Sequence, residues 1–219
     1  FSLLSITPNH LGQGIVTTVI DGAGFRQGMH VYLKDGSTTI AQGTITEFTS
    51  SMSVKVRWDL TNVATGVYDL VAQNPDLAEV LIAGGVTVEA ATEYTLGALD
   101  FFPNVLGAGK SGLLTVVFEN IGNIDIPLVK GEVSVFGFIN IKSVSKVGEG
   151  FLLTDLAEFG FTPFDYNGCC KTEDDKKPIP FIVRNMIPGQ QFSMAIEMNN
   201  FKYSFMPIAA KAIGTTVES

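Results

Sequence analysis

Only two cysteines occur in this chain, and they are adjacent, Cys169 and Cys170. Neighbouring cysteines cannot tie distant strands of one chain together, so no disulfide framework stands in for a hydrophobic core. Three fates stay open for the pair: a strained eight-membered ring, free thiols, or a bridge to another chain. Histidine is as scarce. His10 and His30 are the only two, and the spaced Cys/His cluster that a zinc ion requires is missing. Charge is scarce too, at 16% of residues, with 14 basic against 22 acidic side chains and a net charge of -8. No basic surface exists to hold a polyanion by counterion release, which excludes nucleic acid as a partner. No run of about 18 apolar residues is present, so no transmembrane helix is expected. The opening "FSLLSITPNH" has no initiator Met, basic leader or small-residue cleavage site, and the expectation is a processed chain or an excerpt.

What the chain does have is apolar residues, 46% of 219, enough to bury a sizeable core. They fall in short runs between Gly, Asn, Asp and Pro: "GIVTTVI", "MHVYL", "SVKVRWDL", "GVYDLVAQ", "GLLTVVF", "GEVSVFGFINI", "PFIV" and "FSMAIEM". Val54, Val56 and Trp58 alternate with Lys55, Arg57 and Asp59. That is the period of a strand with one buried face. Helix-like composition is confined to "GEGFLLTDLAEFG" and the "PIAAKAI" near the end. Strands at roughly ten-residue spacing with turn punctuation predict an all-β fold of sandwich type. Composition shifts near residues 88 to 97. Three of the sixteen phenylalanines precede that stretch and thirteen follow it, with most of the lysines. The expected division is residues 1–91 and 92–219, the second domain carrying a Phe-rich insertion near 148–180.

The stretch "VLGAGKSGLL", Val105 to Leu114, invites comparison with a phosphate-binding loop. Such a loop needs a first glycine, here replaced by Asn104, and a following helix whose N-terminus faces the phosphates. After Ser111 comes "GLLTVVFEN", a strand pattern. A Gly-rich turn entering a strand is the better reading. Neither nucleotide nor any other cofactor is expected.

Residues 3 to 88 follow a known pattern. An opening "SITP" leads to the "GAGF" turn, and the segment closes with "GVYDLVAQNPD" and "GGVTV". Through Ser5, Pro8, Gly22, Gly24, Phe25, Gly28, Gly66, Tyr68, Asp69, Asn74, Pro75 and Asp76 it resembles the IPT/TIG immunoglobulin-like domain of bacterial extracellular proteins. Each of these residues also has a local reason. Gly22 and Gly24 are expected at φ > 0, Phe25 as a core plug, and Asn74-Pro75-Asp76 as a turn whose polar side chains bond nearby backbone. "GGVTV" departs from the family in lacking its usual aromatic. The second part resembles, through "NIGNIDIP" and through Pro188, Gly189 and Phe192, the adhesion-related immunoglobulin-like domains of bacterial surface proteins. The fold so implied is two tandem immunoglobulin-like β-sandwich domains.

Candidate sites are few. Asn120, Asn123 and Asp125 on one loop offer oxygen ligands to calcium, but a turn held by Asx hydrogen bonds uses the same residues and is the preferred reading. Phe159, Phe161, Phe164 and Tyr166 precede the paired cysteines; some belong in a core, and the rest would form an apolar patch for a partner. The second domain is expected to pack against another chain or a neighbouring domain through that segment, an edge strand, or the tail "YSFMPIAAKAI" with Phe205, Ile208 and Ile213. A tail strand completing a neighbour's sheet is the most specific version, and an intramolecular last strand explains the same tail. His10 and His30 read as satisfied structural residues, Trp58 as core, and Asp174 and Asp175 as a solvated loop. No nucleophile with a base is apparent. The resemblance implies a non-catalytic structural or adhesive module of a secreted or cell-surface protein, partnered by neighbouring domains or other copies. The alternatives are an accessory carbohydrate-binding region of a polysaccharide-active enzyme, with surface polysaccharide as partner, and a subunit of an extracellular filament or phage fibre.

Overall fold

In a computed structural model of the chain, the structure describes residues 1–92, 96–101, 111–136, 139–147, 151–152, 176–200 and 208–215. The protein is all-β, with no helix among the described residues. It divides into two compact units. The first comprises Phe1–Thr95 with the short segments Ile121–Asp125 and Ile187–Gly189; the second comprises the remainder.

Eight strands build the first unit: β1 (Ser2–Thr7), β2 (His10–Gly12), β3 (Ile15–Ala23), β4 (His30–Asp35), β5 (Thr38–Ser50), β6 (Ser53–Asp59), β7 (Gly66–Gln73) and β8 (Glu79–Glu89). Their order is β1-β3-β6-β5-β4-β7-β8-β2. Thirteen-residue β5 belongs to two layers at once. Its first part, to Gly43, pairs with β4, and from Thr44 it pairs with β6. The opening segment divides in the same way: β1 runs antiparallel to β3, the Thr7–Pro8 bond is cis, and β2 runs parallel to β8.

Between the layers lies one core. Val16, Ile20, Val54, Val56 and Trp58 come from one side and Val31, Leu33, Leu70, Ala72, Val86 and Val88 from the other. The alternation in "SVKVRWD" places Val54, Val56 and Trp58 inside at 0% exposure, as expected of a half-buried strand. Buried with them, the Trp58 indole donates to Thr18 Oγ1 at 3.0 Å. Gly43 lies beneath this ring: a Cβ there would stand 2.4 Å from Val56 Cγ1 and 3.0 Å from two ring carbons of Trp58. Phe25 plugs the β1–β3 end at 3% exposure. Gly24 has φ +74°, as expected, but Gly22 does not share it. What Gly22 needs is space, because its Cβ would meet the Ser2 carbonyl oxygen and the Phe25 ring.

The second unit has two four-stranded antiparallel sheets. One orders β12 (Ile139–Val147), β15 (Gln191–Asn200), β10 (Ser111–Asn120) and β9 (Leu96–Phe101); the other orders β13 (Phe151–Leu152), β14 (Lys176–Met186), β11 (Ile126–Phe136) and β16 (Ile208–Thr215). Phe118 on β10 and Phe192 on β15 are register partners and stack at 4.9 Å. Phe181 of β14 closes on them at 4.8 and 5.1 Å, which sets the two sheets face to face. Ile179 through Val183 are buried on both faces of β14, the behaviour of a continuous apolar run.

"PIAAKAI" is helix-like in composition, and Ile208–Thr215 is a strand paired along its length with β11. Tertiary pairing overrides the helix propensity of alanine. This strand carries Ile208 and Ile213, and it is paired within its own chain. The expected insertion near 148–180 also overlaps the sheet, since Lys176 opens β14 and Phe151–Leu152 pairs with it.

Overpacking a tight core contact costs about 1–3 kcal/mol. Gly43→Ala is therefore expected to lower the stability of the first unit by about 2 kcal/mol, while exposed Thr39→Ala on the same strand changes it by less than about 0.5 kcal/mol. Urea titration followed by the fluorescence of Trp58, the only tryptophan, measures both.

Candidate functional site

At one end of the first unit the polar residues of the "QNPD" turn reach across the fold. Asn74 is 2% exposed. Its Nδ2 donates to the Gly24 carbonyl at 2.9 Å, and its Oδ1 accepts from the Arg26 amide at 3.1 Å. These bonds span about fifty residues, unlike the local turn bonds expected. Asp76 does both: Oδ1 accepts from the Ala78 amide at 3.3 Å and Oδ2 pairs with Arg26 at 2.7 Å. Leu77 is left at φ 66°. Nearby motif residues behave alike. Asp69 accepts the Gly84 amide at 2.8 Å, and the Tyr68 hydroxyl donates to the Ala64 carbonyl at 2.9 Å.

His10 on β2 pairs through Nδ1 with the Glu89 carboxylate of β8, where the two strands run parallel. The three candidate calcium ligands each bond protein groups. Buried Asn120 donates from Nδ2 to the Met186 carbonyl at 2.9 Å. Asn123 accepts the Thr92 amide at 2.7 Å and donates to the Ala90 carbonyl at 3.0 Å. Asp125 accepts the Thr17 amide at 2.8 Å and the Thr17 hydroxyl at 2.7 Å. Each side chain holds a distant backbone segment. Burial raises the Asp125 carboxyl above its ordinary value, against the Thr17 hydrogen bonds and the Arg57 charge, which lower it. Exposed Glu47 and Asp59 go the other way, held down by the Lys55 ammonium and by Thr61 respectively.

One feature of the first unit was missed in the sequence. His30 and Tyr32 alternate with buried Val31 and Leu33, so both rings stand on the outer face of β4. They stack at 6.2 Å with 30° between their planes. The Lys34 ammonium lies 5.7 Å from the Tyr32 ring and pairs with Glu79 at 3.5 Å. Beside His30 is a pocket of about 390 Å³ lined by Met29, His30, Gln42, Gly43, Thr44 and Ile45. His30 was expected to be a satisfied structural histidine; it is exposed, and among the described residues its ring nitrogens have no hydrogen-bond partner. The signal was the strict in-out alternation of "HVYLK", which makes its polar and aromatic members surface neighbours.

Phe159, Phe161, Phe164, Tyr166, Cys169, Cys170, Asp174, Asp175 and Phe205 lie outside the described residues, as do Asn104 to Lys110 of the glycine-rich loop. Ser111 opens β10, so a strand and no helix follows that loop.

A carboxyl whose folded pKa is raised adds stability below its unfolded value, about 3.9, and that contribution disappears as pH rises through the folded value. The stability of wild type relative to Asp125→Asn should therefore fall as pH goes from 3 to 7. Glu47 and Asp59 slope the opposite way but are common to both proteins. Urea midpoints across that range check this, and a pH-independent difference would contradict it.

Neither a protein-family model nor a curated protein matches the chain. Among solved structures, it is similar to SGBP-B of the Bacteroides ovatus mixed-linkage glucan utilization locus, solved with a mixed-linkage heptasaccharide. Identity is 10%, coverage 90% of this chain and 74% of that one, and TM-score 0.31. It is also similar to the secreted serine protease VesC of Vibrio cholerae, at 9% identity, with 92% of this chain and 48% of that one covered and a TM-score of 0.24. Neither superposition is close enough to transfer a fold or an activity.

Proposed function

We propose that the chain is a non-catalytic structural or adhesive module of a secreted or cell-surface protein. In this reading its first unit is an IPT/TIG-type immunoglobulin-like domain, and its second a divergent adhesion-related one. The observation that carries the reading is the use of the polar residues in the first unit. Asn74, Asp69, Tyr68, Asn123 and Asp125 each bond the backbone of a loop or neighbouring strand, and His10 and Asp76 are ion-paired. Groups engaged in this way hold a scaffold and are not poised for proton transfer or nucleophilic attack. The division of the opening segment between β3 and β8 supports the immunoglobulin-like reading. Among the described residues, no helix is long and apolar enough to cross a membrane.

A second reading, glycan binding, is favoured by the His30–Tyr32 ring pair and the pocket beside it.

The Gly24 carbonyl and the Arg26 amide belong to exposed residues, so leaving them unpaired costs the lower end of about 1–3 kcal/mol for each group. Asn74→Ala should accordingly lower the stability of the first unit by about 2 kcal/mol. The wild-type chain, assayed on chromogenic esters, glycosides and peptides and on ATP with Mg²⁺, should show no turnover. Turnover abolished by His10→Ala in a folded variant would overturn the reading.

A further inference from the structure

Most polar side chains around the loops of the first unit are paired, whereas those at the β4–β5 pocket are not. Among the described residues, no hydrogen bond engages the side chains of His30, Gln42 or Thr44. The three are neighbours by register. Gln42 stands opposite Tyr32, Gly43 opposite Val31, and Thr44 follows on the same face as Gln42. Each is amphoteric: an amide offers a carbonyl and an NH₂, a hydroxyl both donates and accepts, and a neutral imidazole has one nitrogen of each kind. A ligand rich in hydroxyls matches such a set, because every hydroxyl also donates and accepts.

The remaining surfaces narrow the choice. No carboxylate or ammonium lines the pocket. Lys34 is paired with Glu79, which itself accepts from Gln73 Nε2 at 2.9 Å, and exposed Arg57, the register partner of Thr44, stands outside the lining. A phosphate or carboxylate ligand would find no charged group in the lining itself. The apolar contribution comes from rings and aliphatics: Tyr32 stacks on the imidazole of His30, and Met29 and Ile45 complete the lining. The C–H face of a sugar ring packs against such rings through their electron-rich faces. A volume of about 390 Å³ lies within the usual range of small-molecule sites, about 300–1,000 Å³.

From this geometry we infer that the pocket is a binding site for an uncharged pyranose unit of a glycan chain, with His30, backed by Tyr32, as the stacking surface and Gln42 and Thr44 as the hydroxyl-reading groups. The inference supplies a ligand class for the adhesive reading and does not depend on the immunoglobulin-like assignment.

The test uses the full chain in isothermal titration against cellohexaose, laminarihexaose, mannohexaose and xylohexaose, with oligogalacturonate as the charged control. Saturable binding of at least one neutral oligosaccharide in the micromolar to millimolar range is expected. Gln42→Ala, Thr44→Val and His30→Ala should each weaken it at least about tenfold, and Met52→Ala, on a distant hairpin, should leave it unchanged. Amide shifts on titration should concentrate between His30 and Ile45, a readout that survives if one variant fails to fold. Absence of binding to every neutral probe, preference for oligogalacturonate, or binding unaffected by the folded pocket variants would overturn the site. Release of shorter sugars from a bound probe would instead refute the non-catalytic reading and leave the site standing.

Discussion

The contact between the Trp58 indole and Gly43 is where the first unit becomes one body. Gly43 is the residue at which β5 stops pairing with β4 and begins to pair with β6. A side chain there would collide with Val56 and with the ring. Because this residue has no side chain, the ring can cover the crossing point, with its N–H satisfied by Thr18. Both inner faces then close over the same core, and the strand ends are brought near enough for the loops to be tied. The bonds of Asn74 to Gly24 and Arg26 presuppose that closure, since they join loops about fifty residues apart.

The two units solve the same problem with different residues. In the first, aliphatic alternation and a single tryptophan fill the core; in the second, three phenylalanines from two sheets do so, with Met194, Met198 and Ile196 beside them on β15. The outward face of β10 and β15 is mixed: Leu113 is exposed on it, while Ser111 bonds to Asn199 and Gln191 to Glu119 across the strands. Such pairs keep an exposed sheet face soluble.

Much of this was legible in the sequence, and the reason lies in period. "SVKVRWD" and "FSMAIEM" announce which side chains point inward, and both strands are as expected. Period tells a face but not a partner, so the passage of β5 between layers could not be read from its residues. The turn at Asn74-Pro75-Asp76 was visible; its long-range bonds were not, because an asparagine that bonds its own turn and one that bonds a distant loop look alike in sequence. Gly22 was recognised as special for the wrong cause, backbone angle in place of close approach. The His30–Tyr32 pair was hidden because His30 was weighed singly, although the spacing of the two on β4 puts them on one surface. The composition of the tail is helix-like although a strand was expected there, as alanines carry little information about a strand that is fixed by pairing.

The central claim is that Asp69, Asn74, Asn123 and Asp125 of the first unit are engaged in holding backbone. Residue-resolved amide hydrogen exchange of the full chain at neutral pH tests it directly. The amides of Thr17, Arg26, Gly84 and Thr92 are bonded to Asp125, Asn74, Asp69 and Asn123 respectively. They should exchange as slowly as neighbouring strand amides, with protection of about a hundredfold or more, characteristic of structure that opens only on larger unfolding. Exchange of these four at the rates of an unstructured peptide would contradict the account, because their side-chain partners would then be free for other chemistry.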